Sequence, residues 1–234
     1  MNKTHQLICA HSAFLPFLII GGGWFFIPGW FPPLTPDMTA AQIQAMYEEN
    51  RVSIRIGMTL VAFCGAFWWS FGAAIAGQMR RIEGTADPIL SRVQMGAAGG
   101  TSIVIIFAAY FILAAAYRPD MSADPIRVFH DLGWLMFVGC YPPAFLQNLS
   151  LGLCILSDKS NEKVYPRWLG YANLWFCFLT IPGALLPFFH TGPFAWNGII
   201  GFWLVALFFF GWIALNWWFT VKAIKNQPGN VFAS

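Results

Sequence analysis

Residues 40–77 read AAQIQAMYEENRVSIRIGMTLVAFCGAFWWSFGAAIAG, and this stretch decides the fold class. No proline interrupts it. From Val52 to Gly77 its only charge is Arg55, and it is long enough to cross a bilayer, which takes about 20 apolar residues in a helix. The earlier part is polar on one side only. Glu48, Arg51 and Arg55 fall at i, i+3 and i+7, while Ile43 and Tyr47 share an apolar face. Ahead of it, Pro28, Pro32, Pro33 and Pro36 keep the chain extended, and Asp37 or Thr39 can cap a new helix. The reading is a helix that starts outside the membrane and enters it near Arg51 to Arg55.

Five more stretches have the same character: Leu7 to Phe31, Val93 to Tyr117, Leu132 to Leu156, Trp168 to Phe189 and Trp196 to Val221. The expectation is an all-α polytopic membrane protein of six transmembrane helices. It forms one domain over 1–234, with an extracytoplasmic extension of helix two. Composition agrees. The 234 residues are 58% hydrophobic and 10% charged, whereas a soluble domain carries about 25% charge. Lys3 before an apolar run resembles a signal peptide. The run continues to Phe31 with no small-x-small cleavage site, so a retained first helix is expected.

Orientation follows the positive-inside rule. Lys3, Arg80, Arg81, Arg92, Lys159, Lys163, Arg167, Lys222 and Lys225 fall on the side of the N-terminus. Arg51, Arg55, Arg118 and Arg127 fall on the other, completing the 13 basic residues. Both termini are expected in the cytoplasm, in the inner (plasma) membrane. The basic residues form no patch for nucleic acid. Cys9, Cys64, Cys140, Cys154 and Cys177 lie singly, without the spacing of a disulfide frame or zinc site.

Punctuation inside the helices carries more information. Helix one holds Pro16, Gly21-Gly22-Gly23 and Pro28; helix four holds Tyr141-Pro142-Pro143; helix five holds Pro182 and Pro187. Prolines free backbone carbonyls that something must satisfy. Ordinary kinking is one reading, and a cavity where these helices bend is the other. Gly96 and Gly100 read as a close-packing face. Trp30, Trp134 and Trp196 on one side, with Trp168, Trp217 and Trp218 on the other, read as interfacial belts. The deeper Trp24, Trp175, Trp203 and Trp212 read as packing.

Polar groups at membrane depth are costly and are therefore site candidates. Beneath the extension of helix two the expected ligand vestibule is lined by Tyr47, Arg51, Arg55, His130, Asp131 and Tyr141, with Arg55 set to hold an anionic group. A structural pairing or snorkelling of Arg55 competes with that. His11, Asn148, Asn173 and Asn216 form a candidate polar network. His130 and His190 raise a haem alternative, or a metal held with Glu48 or Glu49, but helix four would present its histidine at the membrane boundary. No catalytic motif stands out: GxSxG, Walker and GxGxxG patterns are missing. The expected function is binding or transport of a small, largely apolar molecule, with no cofactor. The bilayer and that ligand are its partners, with a homo-oligomer as a further expectation. An accessory subunit of a larger respiratory or oxygenase membrane complex is the rival from another class.

Overall fold

A computed structural model describes residues 2–139 and 141–227, so Cys140 lies outside the described residues. The described chain is helical, without strands. It comprises α1 (Lys3–His11), α2 (Phe14–Gly21), α3 (Ala40–Gly65), α4 (Phe67–Glu83), α5 (Ile89–Tyr117), α6 (Ala123–Gly139), α7 (Pro142–Ser157), α8 (Arg167–Thr180) and α9 (Val205–Lys225). Five helical stretches are long and apolar enough to cross a membrane: Lys3–Phe26, Ala40–Glu83, Ile89–Tyr117, Arg167–Phe188 and Ile199–Lys225. This is the build of a multi-pass membrane protein.

α3 and α4 form one rod of 44 residues, about 66 Å long at 1.5 Å per residue. Hydrocarbon occupies about 30 Å of that, so the rod projects beyond it. Its start is a capping box: Thr39 Oγ1 accepts from Gln42 N at 3.3 Å, and Gln42 Oε1 accepts from Thr39 N at 2.8 Å. It bends at Asn50 (φ −108°, ψ 15°), just before the expected crossing. Ile43 and Tyr47 turn inward and are buried, while Glu48 and Glu49 are exposed.

The rod clamps α5 at both ends. Glu83 carboxylate oxygens accept from Leu90 N (2.8 Å) and Ser91 N (2.9 Å) in the first turn of α5. At the far end Arg55 donates to Ala116 O (3.0 Å) and Tyr117 O (2.5 Å), and Arg51 donates to Arg118 O (2.8 Å). An anion at the N-terminus and cations at the C-terminus match the helix dipole and satisfy end groups that α5 cannot pair itself. Between the ends, small residues bring the helices close: a Cβ on Gly72 would overlap the Cβ of Ala98.

The other helices are broken. Helix one, expected as one span, stops at His11 and restarts at Phe14, because Pro16 lacks an N–H and crowds the carbonyl of Ser12. Ser12 Oγ donates to Cys9 O (2.7 Å) and lies 3.2 Å from Phe67 O. A π turn, Gly22–Phe26, follows. Its Gly23 lies against Gly57 so closely that a Cβ there would stand 2.8 Å from Gly57 O. The stretch expected as helix four is divided into α6 and α7, the latter opening with Pro142-Pro143. α8 passes into a 3-10 segment, Ile181–Phe188, and α9 is preceded by a π turn, Ile199–Leu204. The expected glycine pair on α5 is only half used: Gly100 meets Pro143, with Cβ contact at 3.3 Å, and Gly96 faces open space.

One end of the bundle gathers both ends of the described chain. Lys3 Nζ lies 3.4 Å from Lys225 O, Gln78 donates to Gln6 at 2.5 Å, and Arg81 donates to Ala223 O at 3.1 Å. The loop after α7 folds on Asp158, whose carboxylate accepts from Ser160 N (2.9 Å) and Val164 N (3.1 Å). Burial raises its pKa, but these bonds and Lys163 outweigh burial and hold the carboxyl below its usual value. The opposite end carries the start of α3 and an aromatic roof.

Candidate ligand site

The roof is made of rings. Trp30, Trp134 and Trp196 surround His130, with Trp134 and Trp196 stacked at 5.9 Å and 15°, and Trp24 packs on Trp30 and Trp134. The belt reading of Trp30, Trp134 and Trp196 is overturned, since these side chains are 1%, 0% and 4% exposed and pack on each other rather than on headgroups. Trp175, expected as packing, is exposed instead. Two indoles pin the linker before α3 across the top: Trp30 Nε1 donates to Met46 Sδ (3.2 Å) and Trp196 Nε1 to Leu34 O (2.8 Å).

His130 Nδ1 is 3.2 Å from the Tyr47 hydroxyl, and both side chains are fully buried. His130 precedes the apolar stretch that begins at Leu132. Burial pushes its imidazole down to about 3, so it is neutral at physiological pH. Asp131, beside it, is half-buried and raised by burial, against a downward pull from Arg127 and His190. His190 is itself exposed. Among the described residues no group of three His, Cys, Asp or Glu side chains is gathered as for a metal.

Below the roof lies a chamber of about 130 Å³. It opens where the helices break. Ile20 and Phe25 from helix one, Phe137 and Val138 from α6, Tyr141 and Ala144 around the start of α7, Thr180 at the end of α8 and Phe202 in the π turn before α9 all border it. α5 contributes Thr101 and Ile105, and the rod contributes Trp68. Trp24 of the roof stacks at 3.8 Å on Phe137, which borders the chamber. No lining side chain is charged. A cavity of this size and polarity suits a single small ring, since an engineered apolar cavity of about 150 Å³ binds benzene.

The six residues expected around one vestibule therefore occupy different places. Tyr47 and His130 meet inside the packed roof. Arg51 and Arg55 cap α5 through its carbonyls. Asp131 sits at the roof's edge, and Tyr141 lines the chamber. The expected polar network also divides. Asn173 Nδ2 donates to Asn216 Oδ1 (3.2 Å), and Trp212 Nε1 donates to Asn173 Oδ1 (2.8 Å). His11 instead accepts from Trp217 Nε1 (3.2 Å), while Asn148 borders the chamber.

Trp68 and Phe137 are candidates that sequence alone did not single out. Gln147 had a signal, an amide at membrane depth, but its importance depends on Trp68, whose Nε1 donates to Gln147 Oε1 at 3.1 Å.

Comparison with protein-family models, curated proteins and solved structures finds no match. The functional reading accordingly rests on the chamber.

Proposed function

We propose that the chain is a plasma-membrane protein of six crossings that binds one small, largely apolar molecule in its chamber and passes it on across or along the bilayer. The single observation behind this reading is an uncharged chamber of about 130 Å³ at the breaks of four helical stretches. Burying an uncharged ring there gains about 25 cal/mol per Å² of apolar surface removed from water. An isolated charge would lose far more in desolvation. The six-crossing, both-ends-inside arrangement is supported by the meeting of Lys3 with Lys225 and by the basic bias of that end.

Trp68 and Trp212 border the chamber and report on its contents. Bromocyclohexane, whose bromine quenches indole fluorescence, is the probe, titrated into the full chain in lipid nanodiscs. The expected result is a saturating component of quenching in the wild type. Ala144→Phe and Ala206→Phe, which fill the chamber from α7 and from α9, remove that component and leave the linear quenching due to bilayer partition. Identical linear quenching in all three proteins overturns the reading.

A further inference from the structure

The chamber's polar chemistry is fixed by two consecutive residues of α7. An indole N–H only donates, so Gln147 must turn its Oε1 toward Trp68. Its Nε2 is left buried without a partner among the described residues. Asn148 Nδ2 donates to Ala144 O at 2.8 Å, and a carbonyl only accepts, so the orientation of this amide is fixed as well. Its Oδ1 is the buried atom without a partner. Both side chains border the chamber, at 1% and 5% exposure. The wall thus holds one donor and one acceptor without partners among the described residues, in an uncharged lining whose other hydroxyls are those of Thr101 and Thr180, which donate to Ala97 O and Cys177 O, and of Tyr141.

Buried polar atoms that lack partners are uncommon and costly. A ligand that pairs both recovers that cost, and few functional groups can. A hydroxyl does: its oxygen accepts from Gln147 Nε2–H while its proton goes to Asn148 Oδ1. An alkane pairs neither. A carboxylate has no proton for Asn148 and meets no cation in the lining. An ammonium ion has no acceptor for Gln147. The same residues therefore select for an uncharged polar head and against both signs of charge, whereas the sequence had placed an anion-holding arginine at the site. Arg55, the residue in question, is occupied at the end of α5.

Resting on the chamber reading above, we infer that the ligand is a small un-ionised alcohol, a hydrocarbon body of about one six-membered ring bearing a hydroxyl that Gln147 and Asn148 read together.

Cyclohexanol and methylcyclohexane test this, because they share a shape and differ by OH against CH₃. Each is used to displace bromocyclohexane from the full chain in nanodiscs, with concentrations expressed as mole fraction in the bilayer to remove partitioning. Cyclohexanol is expected to displace the probe at a tenfold or more lower mole fraction. Cyclohexanecarboxylate at pH 8 is expected to be weaker than either. In Asn148→Leu the advantage of the alcohol falls to threefold or less while methylcyclohexane displaces as before; Gln147→Met does the same with the Trp68 contact altered. Equal displacement by alcohol and hydrocarbon in the wild type, an advantage that survives both substitutions, or a carboxylate that outcompetes the alcohol overturns the inference and leaves the chamber reading intact. Failure of the bromocyclohexane signal itself overturns the chamber reading instead.

Discussion

The two sides of the bundle solve opposite problems. The rod of α3 and α4, bent at Asn50 but free of proline, packs closely on α5 through small residues, and α5 is charge-capped at both ends. Helix one, α6 with α7, α8 and α9 are interrupted by proline, by π turns or by a 3-10 segment. Backbone groups freed at such breaks must find partners in protein, so breaks belong inside the bundle rather than against lipid. The broken side can then curve away from the rod and leave a chamber, because the intact side keeps the assembly fixed. Rigidity on one side is what makes room on the other.

The joint between the sides is the place to break this arrangement most severely. Gly57 of the rod touches Gly23 of the π turn, and any Cβ on Gly57 would overlap Gly23 O. Gly57→Val forces the two sides apart and is expected to cost about 3 kcal/mol or more. Thermal unfolding in detergent, followed by tryptophan fluorescence, reads this as a large fall in midpoint or a loss of monodisperse protein.

The clamp on α5 is the next target. Arg55→Ala exposes carbonyls at one end, and Glu83→Ala strips two N–H partners from the other; each is expected to cost about 2 kcal/mol. The two sites lie at opposite ends of a helix of 29 residues, so the double variant should show additive losses to within about 0.5 kcal/mol. A strongly non-additive result would mean the rod does not act as two separate clamps.

The roof gives the smallest effect at neutral pH and a growing one in acid. His130 is neutral when folded because burial lowers it to about 3 from an ordinary value of 6.5. The unfolded chain takes up its proton first, so the roof's contribution is complete above pH 6.5 and drains away as pH falls from 6.5 toward 3. Asp131, raised by burial, works in the opposite direction and blunts the change. Tryptophan emission should shift to the red over that interval as the indoles meet water, and His130→Phe should flatten the curve. An unchanged wild-type profile down to pH 4 would mean the roof does not depend on a neutral imidazole.

Much of the fold was legible because it is written in runs of adjacent residues. The apolar stretches marked the helices, and the stretch from Thr39 to Arg55 carried its own cap and inward face. Arg55 raised the right question, since a lone charge in an apolar helical stretch needs a partner. Its answer was backbone carbonyls at the end of α5, which have no sequence signature. The chamber was harder for the same reason. The amides of Gln147 and Asn148 were visible as intramembrane polar groups. Which of their atoms remain free depends on Trp68, 79 residues away, and on the local carbonyl of Ala144. Trp30, Trp134 and Trp196 were misread as a belt because an indole in a headgroup layer and one in a ring stack leave the same letter in the chain.

The double clamp on α5 also bears on how the molecule is made. Every group in it lies between Arg51 and Arg118, in consecutive helices joined by the short turn after Glu83. The Glu83 end spans only 7 to 8 residues and the Arg51 and Arg55 end 61 to 67, all within the segment that synthesis, running from the N-terminal end, delivers before α6. Every partner in the clamp is therefore available before α6 to α9 have been made. The chamber differs, since Phe202, Ala206 and Trp212 belong to its wall and its lining is complete only with the last helix.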